Sequence, residues 1–296
     1  MKLLTALFAT AAMAGVAFSV ASCSKTDAAG KRILLQNKGS DTMLEVAQRW
    51  AEDFRKVRPD VGVSVTGGGS SVGVAGIIDG TVDIANSSRK LSAKEIAEAK
   101  QHNHEPVEHH VGYDGIAIFV HKDNPLAEIT LEQIKQIYID KGSITKWSQL
   151  GATMPEGRDE IVRISRQANS GTYEYFKEAV LGSKQADFRL GSLDMNGSKD
   201  VVDNVAKTVS AIGYSGLSYG KGSATKMLPV RVKDGQPAVS PSVDTVLDKS
   251  YPISRPLFMY TVGEAKGATK DYLDWILSDA GQRVLLDLGY PPLRKV

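Results

Sequence analysis

Short apolar strands and amphipathic helices alternate along most of this chain, and this alternation constrains the fold more than any other feature of the sequence. Valine occupies every second position over 61–65, as in a half-buried strand, whereas apolar residues recur every three or four positions over 43–54, as in a helix. The same order, a strand followed by a helix, recurs over 116–138 and over 161–181. Repeated units of this kind predict an α/β protein.

Several Ser and Thr residues mark predicted helix starts. Thr42 precedes Glu45 by three residues, and Ser92 precedes Glu95 by three, which is the spacing of a capping box. Thr130, followed by Gln133, predicts another helix start. Near the carboxyl terminus, the pattern predicts one long helix over 270–288.

Composition excludes several classes of protein. The 296 residues are enough for about two domains, and 36 Lys and Arg against 34 Asp and Glu leave a net charge of +2. This near balance lacks the basic excess of a nucleic-acid binder. A single Cys excludes an internal disulfide framework and a multi-Cys metal site. Four clustered histidines could hold a divalent metal, but their polar surroundings favour a solvated loop, so neither a metal nor a cofactor is predicted: His102, His104, His109 and His110.

The amino terminus has the pattern of a secretory signal peptide. Lys2 precedes an uncharged run over 3–24 that is rich in Ala, Leu, Phe and Val. A transmembrane anchor is the alternative, because the run approaches the length of a membrane span. The run ends in Val-Ala-Ser-Cys, which resembles a bacterial lipoprotein box. That resemblance implies removal of residues 1–22, acylation of Cys23, and a tether over 23–30 that holds the protein to a membrane outside the cytoplasm.

Three segments rich in Ser, Thr and Gly join a predicted strand to a predicted helix, at 39–42, 66–73 and 169–172. Helix starts offer unpaired N–H groups and a positive dipole end, and glycine lets an anion approach the backbone. A fourth segment, 86–89, has the same chemistry and adds an arginine, while Arg166 introduces the third loop. Each segment alone is compatible with a simple cap or turn. Together they predict an oxyanion site at the carboxyl ends of the strands.

Two motifs in the second loop resemble enzyme motifs, but the sequence lacks other residues that those enzymes require. Gly68 and Gly73 have P-loop spacing, but Val74 and Ala75 stand where Lys and Ser or Thr are required. Residues 69–73 read G-x-S-x-G, which in a hydrolase places a nucleophile at the central Ser. That enzyme class also needs a His late in the chain, and the last His here is far from the carboxyl terminus. A secreted serine hydrolase is therefore the less favoured alternative.

The chain resembles the phosphate-binding proteins of bacterial high-affinity phosphate ABC importers. The resemblance rests on 39–43, on 69–71 with 80–89, and on Arg166 with 170–172, and more weakly on 113–117, 211–214 and 251–257. It implies a type II periplasmic-binding-protein-like α/β fold with two lobes and two hinge-crossing strands, near 112–118 and 212–219. The expected lobes are 31–112 plus 220–296, and 113–219. The resemblance also implies a non-enzymatic, monomeric protein that delivers inorganic phosphate to a permease and its ATPase.

The resemblance assigns phosphate contacts to eight residues: Thr42, Met43 through its amide, Ser70, Ser88, Arg166, Ser170, Gly171 and Thr172. Position and chemistry add Ser40, Ser71 and Arg89.

This sequence departs from the family where members of the family carry carboxylates. Ser88 and Ala168 occupy two positions at which well-known members have Asp. A carboxylate there accepts the proton of hydrogen phosphate and repels sulfate, which has no proton to give. Asp41 is the first candidate for the missing acceptor and Asp114 the second. Binding of another oxyanion, such as sulfate, molybdate or tungstate, stays an alternative, as does a surface adhesin or scaffold.

Overall fold

The computed structural model describes residues 32–233 and 235–296, in which strands and helices alternate as predicted. The strands are β1 (Ile33–Gly39), β2 (Val61–Thr66), β3 (Ile84–Ser87), β4 (Pro106–His121), β5 (Ile129–Thr130), β6 (Val162–Arg166), β7 (Leu193–Met195), β8 (Ala211–Gly216), β9 (Thr225–Leu228), β10 (Val230–Arg231) and β11 (Ser254–Val262). The helices are α1 (Leu44–Val57), α2 (Ser70–Ile78), α3 (Ala93–Gln101), α4 (Leu131–Tyr138), α5 (Gly171–Phe176), α6 (Ser198–Lys207), α7 (Val243–Leu247), α8 (Gly267–Leu277) and α9 (Asp279–Leu288).

The long strand β4 connects two groups of strands. Residues 106–115 of β4 pair antiparallel with β11, and residues 116–120 pair antiparallel with β8. Beyond β11 lie β3, β1 and β2, in that order, with β1 parallel to both neighbours. Beyond β8 lie β6 and β7, both in parallel pairing, while β9 pairs with the end of β4. The parallel strands therefore stand at the two outer parts of the sheet, with antiparallel pairing between them.

Each group of strands has its own hydrophobic core. Trp50 of α1 and Leu285 of α9 pack in one cluster with residues of β1 and β11. A smaller cluster lies between α2, α3 and β11. Phe119 of β4, Trp147 and Tyr214 of β8 belong to a third cluster, around β6 and β8. Burial of these large side chains supplies most of the stabilisation expected for such a fold.

Residues 225–253 pack differently from the predicted lobe assignment. Leu228, Val230, Val246, Tyr251 and Ile253 belong to the cluster around β6 and β8, whereas the prediction grouped all of 220–296 with the other lobe. The strand β9 also pairs with β4 beside β8. The chain returns to the first group of strands only at the start of β11, some 40 residues after the predicted crossing near 212–219.

Helix starts were predicted correctly where the cap is local. Ser92 and Glu95 form the predicted capping box, and Thr130 forms one with Gln133. The capping box predicted at Thr42 is wrong, because a 3₁₀ turn over Asp41–Met43 precedes α1 and the Thr42 hydroxyl bonds elsewhere.

The single helix predicted over 270–288 is also wrong. The chain breaks at Ser278, which has an extended backbone and whose hydroxyl accepts a hydrogen bond from the Gly281 N–H at the start of α9.

The predicted signal peptide, the lipid attachment at Cys23 and the tether over 23–30 lie outside the described residues. Within 32–233 and 235–296, no helix combines the length and apolar character needed to cross a membrane.

Candidate anion-binding site

The four predicted segments all follow the carboxyl ends of strands, and the fold brings them together. The first follows β1, the second follows β2 and leads into α2, the third follows β6 and leads into α5, and the fourth follows β3. Because β2, β1 and β3 are parallel neighbours, their ends meet at one edge of the sheet. The third segment, which follows β6, meets this edge from the other group of strands, where the Asn169 carbonyl accepts from the Ser71 N–H at 3.2 Å.

Three serine hydroxyls form a buried cluster at this edge. Ser40 Oγ donates to Ser88 Oγ at 3.0 Å, and Ser70 Oγ lies 3.3 Å from Ser88 Oγ. The Ser88 N–H also donates to Ser70 Oγ at 3.0 Å. None of the three residues is more than 2% exposed. The arrangement concentrates hydroxyl donors that carry no charge of their own.

Glycine at position 171 permits the close approach of the third segment, 169–172, to the serine cluster. A Cβ at Gly171 would lie 2.3 Å from Ser70 Oγ and 2.7 Å from Ser88 Oγ, distances that atoms do not tolerate. On the facing loop, Gly69 has a φ of +92°, and a Cβ there would lie 2.4 Å from the Asn169 carbonyl oxygen. The glycines in these loops therefore serve the contact between segments as well as local turns.

A threonine pair and an ion pair adjoin the serine cluster. The hydroxyls of Thr42 and Thr172 are 2.8 Å apart, and Arg255 Nη2 donates to them at 3.2 and 2.9 Å. Arg255 also donates to Asp114 Oδ2, through Nη2 at 2.8 Å and through Nε at 3.1 Å. Both side chains of this ion pair are 1% exposed. Burial raises the pKa of the Asp114 carboxyl, and the Arg255 charge opposes that shift.

Sequence reasoning did not assign Arg255 to the site. The residue lies within the weakly matching segment 251–257, among residues that are apolar apart from a serine. An arginine in such a strand is rarely buried without a charged partner. The apolar neighbours of Arg255 in the sequence could therefore have indicated a buried, paired arginine.

Asp41 and Arg166, both predicted site residues, bind each other. Arg166 Nη2 donates to Asp41 Oδ2 at 2.9 Å, and Asp41 Oδ1 accepts from the Gly68 N–H at 2.8 Å. Arg166 also donates to the Ser198 hydroxyl and to the Asn196 carbonyl, both at 2.8 Å. Burial lowers the pKa of Arg166, and Asp41 opposes the shift. Both terminal nitrogens of Arg166, which was predicted to contact the anion, therefore already bind protein groups.

Ser71 and Arg89 lie in a separate bridge rather than in the serine cluster. Arg89 holds Glu95 through two hydrogen bonds of 2.7 and 2.9 Å, and its Nε is 2.8 Å from Glu174 Oε2. The Ser71 hydroxyl donates to Glu174 at 3.0 Å and accepts from Arg89 at 3.2 Å. The expectation that Ser71 and Arg89 offer free donors to an anion is therefore not met, because carboxylates already occupy them.

The remaining predicted donors partly serve the local backbone. Ser170 caps α5, since its hydroxyl oxygen accepts from the N–H groups of Thr172 at 3.1 Å and Tyr173 at 3.4 Å. The amide of Met43 donates to the Ser40 carbonyl at 3.1 Å. Ser170 keeps its own hydroxyl proton for a ligand, whereas the Met43 amide is used in the 3₁₀ turn.

Two tyrosines that sequence reasoning missed hold the first loop in place. The hydroxyl of Tyr219 donates to the Asp41 carbonyl at 2.6 Å, and that of Tyr290 donates to the Thr42 carbonyl at 2.6 Å. They come from segments far along the chain, so no local pattern connects them with this loop.

Two of the four clustered histidines lie in the turn after α3 and two lie in β4. The Nδ1 atoms of His102 and His104 lie 3.2 and 2.7 Å from the Ile78 carbonyl, and His109 and His110 belong to β4 rather than to a loop. In the described ranges, no three His, Cys, Asp or Glu side chains gather in a metal-binding geometry.

Comparisons with known proteins give one consistent family. A family model described as a PBP superfamily domain matches residues 24–280. The chain is 32% identical to a phosphate-binding protein PstS of Pseudomonas aeruginosa, over 99% of this chain and 94% of that protein. It is 30% identical to a phosphate-binding protein PstS of Staphylococcus saprophyticus, over 88% of this chain and 81% of that protein.

Solved structures with the same architecture are similar over most of the chain. A phosphate ABC transporter substrate-binding protein from Clostridium perfringens, solved with bound phosphate, shares 32% identity at a TM-score of 0.78 and covers 88% of this chain and 100% of its own. An ABC-type phosphate transport receptor from Vibrio cholerae shares 26% identity at a TM-score of 0.67, with coverage of 88% and 99%.

Proposed function

Because this chain belongs to the PBP superfamily, we propose that it binds inorganic phosphate outside the cytoplasm and delivers it to the permease and ATPase of an ABC importer. Relatives that match it over nearly its whole length are phosphate-binding proteins, and one of the matching structures holds phosphate.

The observation that carries this proposal is the convergence of buried, uncharged donors from both groups of strands. Ser40, Ser70 and Ser88 come from one group, whereas Gly171 and Thr172 come from the other. Preorganised hydroxyl and N–H donors stabilise an oxyanion without requiring a neutralising charge for each of its oxygens. A serine hydrolase is less well supported, because the Ser71 hydroxyl contacts Glu174 and Arg89 rather than a histidine.

We place the two proposed lobes on either side of the strand crossings. The first crossing is within β4, where pairing passes from β11 to β8 between Gly115 and Ile116. The second is at the start of β11, where Ser254 pairs with Gly115. Two adjacent crossings make a hinge, and rotation about it would separate Thr42 from Thr172 and open the site.

We also propose that the protein is a monomeric lipoprotein. Its signal-peptide pattern and the lipoprotein-like box ending at Cys23 support membrane attachment through acyl chains. A substrate-binding protein held in this way stays near its permease.

A panel of anions tests the proposed function. The purified protein, freed of phosphate by dialysis, is melted with phosphate, arsenate, sulfate, molybdate or tungstate. Phosphate at about 100 times its dissociation constant should stabilise the fold by about 2.7 kcal/mol, and sulfate at the same concentration should have little effect. A larger shift with sulfate, molybdate or tungstate would assign the protein to that oxyanion instead. No shift with any anion would contradict anion binding altogether.

A further inference from the structure

The site described above lacks a carboxylate at the two positions where the sequence departs from the family, Ser88 and Ala168. A protein that separates hydrogen phosphate from sulfate needs an acceptor for the phosphate proton, since the two anions are otherwise similar tetrahedra. The chain offers two buried carboxylates near the serine cluster, Asp41 and Asp114. Their hydrogen bonds differ in a way that separates their roles.

Both carboxylate oxygens of Asp41 already accept a hydrogen bond from the protein. One of its oxygens accepts from Arg166 and the other from the Gly68 N–H. Arg166 is held in turn by Ser198 and the Asn196 carbonyl. This ion pair therefore links the loop after β1 to the segment that precedes α6. Both Asp41 oxygens and both terminal nitrogens of Arg166 are engaged in that link, whereas Arg166 Nε is buried and has no hydrogen-bond partner among the described residues.

Asp114 and Arg255 each keep one polar atom without a partner. Asp114 Oδ1 and Arg255 Nη1 are buried and have no hydrogen-bond partner of acceptable geometry in the described part of the chain. The N–H groups of Gly115 and Leu217 lie close enough to stabilise charge on the carboxylate. Leaving buried charged atoms unpaired is costly, so two of them in one ion pair indicate a ligand.

The unpaired oxygen of Asp114 lies near Thr42. A Cβ at Gly216 would lie 3.1 Å from Asp114 Oδ1 and 3.3 Å from Thr42 Cγ2, so the free carboxylate oxygen and this threonine flank the same point. Arg255 Nη2 already touches both threonine hydroxyls. Arg255 also lines a cavity of about 570 Å³.

We infer that Arg255 and Asp114 are a charged pair that recognises the anion, and that Asp114 rather than Asp41 is the acceptor of its proton. Arg255 donates to the anion oxygens beside Thr42 and Thr172, and Asp114 accepts the proton of hydrogen phosphate. Sulfate has no proton to donate, so its oxygen would face the Asp114 carboxylate and be repelled. The inference rests on the proposed function, because it assigns the selectivity of that same site.

Calorimetric titration of the full chain in detergent, with phosphate and with sulfate, tests this assignment. Arg255→Gln should weaken phosphate binding by tenfold to a hundredfold, the loss expected for a charged hydrogen-bond donor. Asp114→Asn should weaken phosphate binding and strengthen sulfate binding, because an amide no longer repels the sulfate oxygen. Asp41→Asn should lower the melting temperature and change the affinity for both anions alike, which leaves their ratio as in the wild type.

Removing one member of a buried ion pair can unfold a protein, so a double variant and a surface pair serve as controls. Arg255→Gln combined with Asp114→Asn leaves no unpaired charge and should recover the melting temperature without recovering phosphate binding. Arg58 and Asp60, whose side chains are 2.8 Å apart at the surface, supply the matched changes Arg58→Gln and Asp60→Asn, which should leave both titrations unchanged.

Two outcomes would overturn the assignment while the proposed function stands. One is a folded double variant that binds phosphate as tightly and as selectively as the wild type. The other is a change in the phosphate-to-sulfate ratio in Asp41→Asn but not in Asp114→Asn. Failure of the wild-type chain itself to bind phosphate would instead refute the proposed function, and the inference with it.

Discussion

The hydroxyl oxygens of Thr42 and Thr172 lie 2.8 Å apart, although 130 residues separate them in the chain. Thr42 belongs to the 3₁₀ turn after β1, and Thr172 to the first turn of α5 after β6. Their contact joins the two groups of strands at the carboxyl ends that the sequence singled out. Substitutions of individual side chains can show whether this contact contributes to anion binding or only to the stability of the fold.

Thr172 and Ser170 should respond differently to loss of their hydroxyls. Thr172→Val nearly keeps the shape of the side chain but removes a partner of Thr42 and Arg255, so phosphate affinity should fall by about tenfold. Ser170→Ala removes the cap of α5 and should cost about 1 kcal/mol of unfolding free energy, with a smaller loss of affinity. Calorimetry and urea denaturation measure the two quantities. The opposite ranking of affinities would show that Ser170 is the more important anion donor.

Gly171→Ala should disrupt the contact between the third segment, 169–172, and the serine cluster. The added methyl would lie 2.3 Å from Ser70 Oγ, so the segment must move away and take the Thr172 donor with it. We expect phosphate affinity to fall by at least tenfold, by calorimetry. Gly62→Ala is the matched control, since its methyl would meet the end of the Leu34 side chain at 3.3 Å and the Ile33 carbonyl oxygen at an ordinary contact distance of 3.9 Å. Equal affinity in the two variants would mean that the segments do not close on the anion.

The Arg89–Glu95 pair should make part of the stability depend on pH. Burial alone would raise the pKa of Glu95, but hydrogen bonds from Arg89 and Ser92 and the Arg89 charge hold it below the usual 4.5. A lowered folded-state pKa adds stability that is present above pH 4.5 and lost as the pH falls through the lowered value. The wild type should therefore be more stable than Glu95→Gln at pH 7, and this advantage should shrink towards pH 3. Urea unfolding of both proteins measures it, and an advantage that is equal at the two pH values would contradict the pairing.

Cys23→Ala tests the proposed lipid attachment. The variant lacks the sulfur that acylation requires, so a longer, unprocessed precursor should accumulate. Mass spectrometry of the wild type should find a mature chain that begins with an acylated Cys23. If the variant is found in the membrane fraction at its normal length, the apolar run over 3–24 is itself the anchor.

Local sequence patterns predicted the elements whose formation depends on neighbouring residues. The capping box at Ser92 and the helix start at Thr130 formed as predicted, because each cap needs only a partner three residues away. The Gly- and Ser-rich loops could be placed at strand ends because the strand and helix patterns on either side of each loop are also local. The capping box predicted at Thr42 from its spacing to Glu45 did not form. The Thr42 hydroxyl instead bonds Thr172 of α5 and the distant Arg255.

By itself, the sequence determined the α/β class, the order of most elements and the four segments that meet at the site. Tertiary structure alone decided which charges face which partners: Arg166 bonds Asp41 across 125 residues, and Arg255 bonds Asp114 across 141. From the sequence, Arg166 was predicted to contact the anion, whereas Arg255 was not assigned to the site. A buried guanidinium takes whichever carboxylate packing brings within hydrogen-bond distance, and that choice depends on how β4, β6 and β11 pack together rather than on any spacing along the chain.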